Sequence, residues 1–361
     1  MPDKPINEIP MFFIMGRPRS GTTLLSTLFD AHHNVRIPPE FPIFLSLIQR
    51  FRKVKSWDEQ TILEFVNHIA KNDVFKHRTL ENLNVDIEQL TRNLMSLKEG
   101  GTLADFLKAF NYSSFSIFPK DEILQIGDKN PLYSIYVNRF VKTCPDARFV
   151  CIVRDYRDNF VSMKKLAELE LEAPALTLQV TRWRFVVRLF FRWKKKFPEK
   201  FFLIRYEDLA EKPEETIIAI CQFLGLPFDP TVFDFFHKKE ETLKFYPQEI
   251  IEKYHSSLLK PISTSRIGLY KSQLTPAQIR LADKVAGSYA DRLGYERADT
   301  RFQLFLWLQS LPLLIYGTLL FWLMQLGSYL PYRIATTLSV RLLILARTYN
   351  RLFGERKKRP W

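Results

Sequence analysis

The chain of 361 residues is 46% hydrophobic and 25% charged, a composition that excludes a disordered protein and predicts a packed core. Its net charge of +14 favours anionic partners: phosphates, nucleic acid or an anionic membrane surface. The three cysteines, Cys144, Cys151 and Cys221, lack metal-binding spacing and lie near or in predicted core elements, which favours reduced thiols in a cytoplasmic protein over a disulfide framework.

Residues 11–33 predict a strand, a loop and a helix. The apolar run MFFIM leads to Gly16, and apolar residues with helical spacing follow Gly21. The loop and first turn offer one guanidinium and three hydroxyls: Arg19, Ser20, Thr22 and Thr23. Together with backbone amides at a helix N-terminus, these groups favour an anion. The alternative is a tight turn that uses glycine only for its backbone freedom.

Residues 43–118 are predicted to be mainly helical, with a weak break at Gly100–Gly101. Further along, RFVCIVR predicts a strand that ends at Arg154, with a helical pattern from Asn159, and residues 176–197 predict a long helix. KFFLIRYEDL predicts another strand, followed by a helix with Pro213 in its first turn and Gly225 as its C-cap. Alternating strands and helices predict an α/β fold with a parallel sheet, helices on both faces and ligands at the carboxyl ends of its strands.

The loop lacks one feature of nucleotide triphosphatases. Thr22 stands where a lysine should follow the second glycine, and no acidic strand end offers a metal-binding carboxylate. Such enzymes need a cation at the β- and γ-phosphates and a carboxylate for Mg²⁺. A P-loop kinase or NTPase therefore becomes the alternative function, and no metal is expected.

Two motifs in this order resemble those of sulfotransferases that use 3′-phosphoadenosine 5′-phosphosulfate (PAPS). GRPRSGTTLLSTLFDAHHNVR is similar to their 5′-phosphosulfate loop, and RFVCIVRDYRDNFVSM to their 3′-phosphate motif. GDKNP, RYEDL, CQFLGLPF and RIGLYKSQL extend the resemblance in patches over residues 11–296, nearest to the tyrosylprotein-sulfotransferase-like branch. It implies a P-loop-like parallel sheet flanked by helices, with a helical acceptor-side insertion.

The resemblance implies site residues position by position. The 5′-phosphosulfate would be bound by Arg19, Ser20, Gly21, Thr22 and Thr23, and the 3′-phosphate by Arg154 and Ser162. A late basic segment that folds over the nucleotide would contain Arg266, Gly268 and Lys271. For Arg154 the alternative is an ordinary ion pair with Asp155 or Asp158.

The same resemblance makes Glu40 the general base and puts Lys129 near the transferring sulfuryl group, where Arg19 also stabilises developing charge. For Glu40 the alternative is an ordinary surface carboxylate, and for Lys129 it is a solvated lysine in a loop. His32 and His33 are rival bases, although the end of the first helix, where they are expected, would favour their cationic forms.

One departure from the resemblance concerns the acceptor. Tyrosine-sulfating members carry an arginine two residues after the base, and this chain has Pro42 there. Residues 41–118 are rich in Phe and Leu and are expected to form much of the acceptor pocket. An apolar alcohol, such as a lipid, glycolipid or sterol, is therefore favoured over a carbohydrate or a protein tyrosine. The predicted organisation is a sulfotransferase domain over 1–300, with 43–125 on its acceptor side, and a tail over 301–361.

The tail predicts attachment to a membrane. No charged residue occurs from Phe302 to Tyr332, a length sufficient to cross a hydrocarbon core although Pro312 and Gly317 interrupt it. Residues 333–361 hold eight Lys or Arg and one acid, and the first part predicts a basic amphipathic helix. Spanning, re-entrant and interfacial topologies stay open, as do two buried helices. The expected location is the cytoplasmic face of an anionic membrane.

A third interpretation is a non-enzymatic membrane or nucleic-acid binder. The stretch TRWRFVVRLFFRWKKK mixes Arg, Trp and Phe, side chains that suit bases and phosphates. An ordinary amphipathic helix with solvated cations explains the same pattern. No nucleic-acid partner is therefore expected.

Overall fold

The computed structural model describes residues 4–41, 43–71, 85–114, 116–168, 175–238, 256–298, 300–301, 303–331 and 334. Five parallel strands form its sheet in the order β2-β3-β1-β4-β5. The strands are β1 Met11–Gly16, β2 Val35–Arg36, β3 Gln125–Lys129, β4 Arg148–Val153 and β5 Phe201–Arg205. The predicted α/β architecture with a parallel sheet is confirmed.

Fourteen α-helices lie in the described residues. They are α1 Thr22–Ala31, α2 Phe44–Phe51, α3 Glu59–Ala70, α4 Ile87–Ser96, α5 Leu103–Tyr112, α6 Val137–Thr143, α7 Tyr156–Glu168, α8 Leu176–Lys196, α9 Tyr206–Glu211, α10 Pro213–Leu224, α11 Tyr270–Gln273, α12 Pro276–Ala286, α13 Ser288–Asp291 and α14 Leu304–Gly327. As predicted, Pro213 begins α10 and Gly225 ends it with a φ of 74°.

β1 explains why helices cover both faces of the sheet. All six of its residues are buried, and successive side chains of a strand point to opposite faces. Phe13 and Met15 join a core that includes α2–α6 and α8, whereas Phe12 and Ile14 join a second core with α1, α9 and α10. Each face therefore has its own hydrophobic core.

Most of the phenylalanines described within residues 43–118 pack in the core that contains Phe13 and Met15. Phe44, Phe51, Phe65, Phe106 and Phe110 are all buried there. Phe44 lies edge-on to Phe13 of the central strand, with the ring centroids 6.4 Å apart. The phenylalanines of α2, α3 and α5 thus attach this helical region to the sheet, and their abundance does not by itself indicate an apolar pocket.

The apolar segment near the C-terminus forms one continuous helix, α14, of a length and composition that could cross a membrane. Pro312 lies inside it without ending it, so the predicted interruption is wrong. Gly317 lies against α8, where an added Cβ would approach Leu178 to 2.9 Å, and Phe321 is buried against Phe185. The glycine permits close helix packing, and α14 has one packed face and one exposed face.

Apart from residue 334, the basic amphipathic helix predicted for the first part of residues 333–361 lies outside the described residues. Cys144, Cys151 and Cys221 are buried free thiols, as expected of core residues.

Candidate active site

The site lies where the first two motifs meet at the carboxyl ends of β1, β3 and β4. β1 pairs with both other strands, so Ile14 lies level with Lys129 on one side and with Val150 on the other. The loop after β1 and Arg154 after β4 therefore emerge as neighbours. This is the sheet edge at which parallel α/β folds bind ligands.

The loop between β1 and α1 has a constrained backbone. Arg19 has a φ of 68°, the one positive φ of a non-glycine residue in the described part of the chain. Gly21, with a φ of 97°, is the N-cap of α1, and a Cβ there would approach the Tyr206 ring to 2.6 Å. In the described structure no side chain caps the N-terminus of α1. The positive end of its helix dipole therefore faces the loop. Thr22 and Thr23 are its first two residues.

Residues of α7 hold this loop from the second motif. Arg19 Nε donates to Ser162 Oγ at 3.0 Å, and Asn159 Nδ2 donates to Pro18 O at 2.8 Å and to Ser20 Oγ at 3.2 Å. Ser162 is expected to hold the 3′-phosphate together with Arg154, and in this structure its hydroxyl accepts the hydrogen bond from Arg19. Asn159 was not predicted as a site residue; its spacing of one helical turn from Ser162 is the signal that could have found it.

Arg154 joins the loop to the late basic segment. Its Nη1 donates to Arg19 O at 3.2 Å and its Nη2 donates to Arg266 O at 2.5 Å. The guanidinium also lies over the Tyr206 ring, with Cζ 4.6 Å from the centroid. Asp155 instead pairs with Arg157 at 2.7 Å, so an ordinary ion pair with Asp155 does not account for Arg154.

Asp158 fixes the late basic segment in place. Its carboxylate accepts hydrogen bonds from the backbone N–H groups of Gly268 at 2.7 Å and Tyr270 at 2.9 Å. Gly268 has a φ of 73°, which brings both amides toward the carboxylate. Lys271 is exposed on α11, and the described structure records no side-chain hydrogen bond from it to the other predicted site residues. Lys271 is therefore not hydrogen-bonded to the other predicted site residues in the described structure.

Arg154 and Arg266 place positive charge close to the Arg19 guanidinium, and we call these three residues the arginine cluster. The pKa of Arg19 is lowered to about 10, first by burial and then by the charges of Arg266 and Arg154. A group of buried guanidiniums is stabilised when anionic oxygen atoms come within hydrogen-bond distance. The donor set of this cluster fits a ligand with several anionic groups.

Glu40 and Lys129 form an ion pair beside the loop. Lys129 is buried at the end of β3, and its Nζ lies 2.7 Å from Glu40 Oε2 and 3.3 Å from Thr23 Oγ1. Glu40 is partly exposed, so its carboxylate is open to solvent on one side. The structure thus brings together the predicted base, the predicted lysine and a hydroxyl of the anion loop. Pro42 lies outside the described residues.

His32 and His33 are at the other end of α1, about 15 Å along a ten-residue helix from the loop. His32 Nε2 lies 2.9 Å from Pro227 O, and burial lowers the pKa of its imidazole. The expectation that this helix end favours a cation is wrong for His32, because the effect of burial on its pKa outweighs the contacts with Pro227 and Asp229 that would raise it. His33 Nδ1 contacts Asp229 at 2.9 Å.

The model of the sulfotransferase family matches residues 10–230. The chain belongs to the sulfotransferase family. The resemblance to the PAPS-dependent enzymes is confirmed, and the protein is a sulfotransferase.

Individual relatives are distant. Protein-tyrosine sulfotransferase 1 of Danio rerio is 23% identical over 301 residues, which cover 80% of this chain and 73% of the relative. Nodulation protein NoeE of Sinorhizobium fredii is 24% identical over 320 residues, covering 81% and 68%. The sulfotransferase domain of the Synechococcus PCC 7002 olefin synthase has a TM-score of 0.52 at 19% identity, covering 82% of this chain and 98% of that one. That likeness shows the fold.

Asp128 is a buried neighbour of the ion pair that the sequence did not single out. Its Oδ2 accepts a hydrogen bond from Asn111 Nδ2 at 3.1 Å. Burial raises the pKa of its carboxyl to about 7. Within the described residues, no group of three His, Cys, Asp or Glu side chains could hold a metal ion, and the expectation that the enzyme needs none stays a prediction.

Asp128 predicts a pH dependence of stability. Because its folded pKa lies above its unfolded value, the folded state binds more protons between about pH 4 and pH 7, and the free energy of unfolding falls as pH rises through that range. Asp128→Asn should remove this term, so denaturant titrations should show the variant gaining on the wild type as pH rises from about 5 to about 8. Exposed Asp121→Asn is the control; the same trend in both variants would contradict the assignment.

Proposed function

We propose that the protein transfers a sulfuryl group from PAPS to an acceptor hydroxyl, with Glu40 as the general base. The observation that supports this most is the contact of Lys129 with both Glu40 and Thr23. It joins a carboxylate to the loop that would hold the reacting end of the donor. The nearby arginine cluster supplies the positive charge that this donor requires.

The donor would bind along the cluster. Arg19, Ser20, Gly21, Thr22 and Thr23 would hold the 5′-phosphosulfate through the helix N-terminus, hydroxyls and one guanidinium. Arg154 and Ser162 would hold the 3′-phosphate, and the segment of Arg266, Gly268 and Lys271 would cover the nucleotide. The charges of Arg154 and Arg266 close to Arg19 support this assignment, since bound phosphates would offset their repulsion of the Arg19 guanidinium.

The reaction would be an in-line displacement at sulfur. The acceptor oxygen forms a bond to sulfur, the bond from sulfur to the 5′-phosphate oxygen breaks, and Glu40 takes the acceptor proton. Arg19 and Lys129 would stabilise charge on the transferring group and on the departing oxygen. The products are a sulfate ester and 3′,5′-ADP.

Donor binding tests the first part. Arg154→Gln should weaken binding of 3′,5′-ADP at least roughly tenfold, because a charged hydrogen-bond donor to phosphate is lost. Isothermal titration without acceptor, with and without Mg²⁺, measures it, and exposed Arg192→Gln is the control for charge. Mg²⁺-dependent binding of ATP in place of 3′,5′-ADP would favour the P-loop kinase or NTPase alternative.

The base is tested by Glu40→Gln, which keeps an oxygen for Lys129. We expect kcat to fall by about 10²–10⁴, the usual contribution of a general base, while 3′,5′-ADP binding is unchanged. Exposed Glu122→Gln should behave like the wild type. Full activity of the Glu40 variant would require another base.

For the acceptor we propose an apolar alcohol, such as a lipid, glycolipid or sterol, presented at a membrane. The outer face of α14 supports this, because Leu304, Leu308, Leu319, Leu323 and Leu326 are each more than half exposed. The other face packs along α8, which favours an orientation in the plane of the membrane surface over a span that leaves the domain. The buried thiols are compatible with the cytoplasmic side.

The names of several relatives favour one alternative acceptor, a protein tyrosine. A carbohydrate is the second alternative. The helical region 43–125 lies next to Glu40 in the chain, and Phe41 packs on Phe110 of α5, with the ring centroids 5.9 Å apart. This contact supports an acceptor side formed by that region.

The acceptor proposal is tested by Leu319→Gln with Leu323→Gln. These changes leave the packed face of α14 intact, whereas deleting the helix would expose core residues such as Phe321. Activity toward a sterol or glycolipid in vesicles should fall roughly tenfold or more, because two apolar contacts with the membrane are lost, and activity toward a soluble alcohol should not change. Leu63→Gln with Ile87→Gln, exposed on other helices, is the control. An equal loss on both acceptors, or preference for a tyrosine peptide, would contradict the proposal.

A further inference from the structure

A cavity of about 790 Å³ lies beside the end of α14, among residues of the α2–α3 loop, the α4–α5 loop and α6. Five basic side chains and one acidic side chain contribute to its lining: Arg52, Lys55, Lys98, Arg139, Lys142 and Glu99. We call it the basic cavity. None of its basic residues belongs to the predicted donor site.

Arg139 is the built element of the basic cavity. It is only 5% exposed, and its Nε donates to Ser328 Oγ at 2.9 Å. Its Nη2 is buried without a hydrogen-bond partner among the described residues. Burial, and next the charge of Arg52, lower the pKa of Arg139 to about 10. A buried donor with no acceptor carries a free-energy penalty that an anion in the cavity would remove.

The basic cavity is tied to the chain just after α14. Arg52 Nη2 donates to Tyr329 O at 2.6 Å, and Gln49 Nε2 donates to Leu330 O at 3.0 Å. Arg139 Cζ and Lys142 Nζ lie 4.6 Å and 5.3 Å from the centroid of the Tyr329 ring. The cations thus surround the point where the exposed apolar face of α14 ends.

We propose that the basic cavity binds the phosphate group of an anionic membrane lipid while the outer face of α14 lies among the lipid acyl chains. The argument is charge complementarity joined to continuity of surface. Leu323 and Leu326, each more than half exposed, lead directly to Tyr329 and the cavity. For a helix in the plane of the membrane surface, cations beside an exposed apolar face lie at the boundary between acyl chains and headgroups, where the phosphates of anionic lipids are within their reach.

This inference rests on the membrane attachment in the proposed function and is independent of the sulfuryl transfer. Its test measures binding of the full chain to vesicles of phosphatidylcholine with and without phosphatidylglycerol. Lys98→Gln with Lys142→Gln removes two exposed cations of the basic cavity. Affinity for the anionic vesicles should drop at least roughly tenfold, as expected for two cations lost at an anionic surface, with little change for neutral vesicles.

The matched control is Lys195→Gln with Lys212→Gln, which removes the same charge from exposed positions on α8 and before α10. A loss as large as that of the cavity variant would show general attraction by net charge and overturn the site. Arg139→Gln, checked for folding by unchanged binding of 3′,5′-ADP, should repeat the loss of the cavity variant; wild-type affinity would overturn the role of Arg139.

Two further outcomes separate the possible sources of phosphate. If inorganic phosphate, at the concentration of lipid phosphate, displaces the wild type from anionic vesicles, the cavity takes a free anion and the lipid assignment is wrong. If the wild type binds neither kind of vesicle, the membrane attachment itself fails, whereas the sulfotransferase proposal still stands on donor binding.

Discussion

The concentration of positive charge around the buried Arg19 guanidinium is the constraint on which the donor side of the molecule depends. Burial, and then the charges of Arg266 and Arg154, lower the pKa of Arg19 to about 10. The protein partly offsets this cost with dipoles, since Arg154 donates to the carbonyl oxygens of the other two arginines. Carbonyl oxygens carry no full charge, so the cluster keeps its attraction for a polyanion.

The strained backbone of Arg19 explains why the two β–α units that carry the motifs lie so close together. The Arg19 backbone adopts a positive φ that a non-glycine residue rarely holds, and such strain persists only where the surroundings fix it. Asn159 and Ser162, from the neighbouring unit, provide those contacts. Asp158 does the same for the Gly268 turn. One helical face of α7 therefore positions both the loop and the late basic segment.

Local signals made β1, β4, β5, the loop and Arg154 predictable from the sequence, whereas the short strands β2 and β3 were not predicted. An apolar run that ends in a glycine-rich turn, or in an arginine followed by a helix, specifies a strand end without knowledge of the rest of the fold. The resemblance gave Lys129 and Glu40 separate roles near the reacting group, and their direct contact was not predicted, because 89 residues separate them and no local pattern pairs them.

Other features depend on tertiary packing, and sequence patterns misjudged them. Burial reversed the expectation for His32, a penalty that helix position alone cannot reveal. Pro312 does not end α14, although proline inside a helix removes one hydrogen bond, and packing of Gly317 and Phe321 on α8 gives that helix tertiary support. Arg17 and Gln179, 162 residues apart, form a buried contact that neither motif predicts.

Within about two of its turns, α8 contacts both the region of the proposed donor site and the apolar helix α14. On one face, Gln179 accepts from Arg17 Nη2 at 2.7 Å and Trp183 Nε1 donates to Arg154 O at 2.9 Å. On the other face, Leu178 and Phe185 pack against α14. A close-packed helix transmits displacement because it has no slack to absorb it. The helix that would meet the membrane is therefore held by the same element that contacts Arg17 of the loop and Arg154, which would fix the orientation of the proposed donor site relative to that surface.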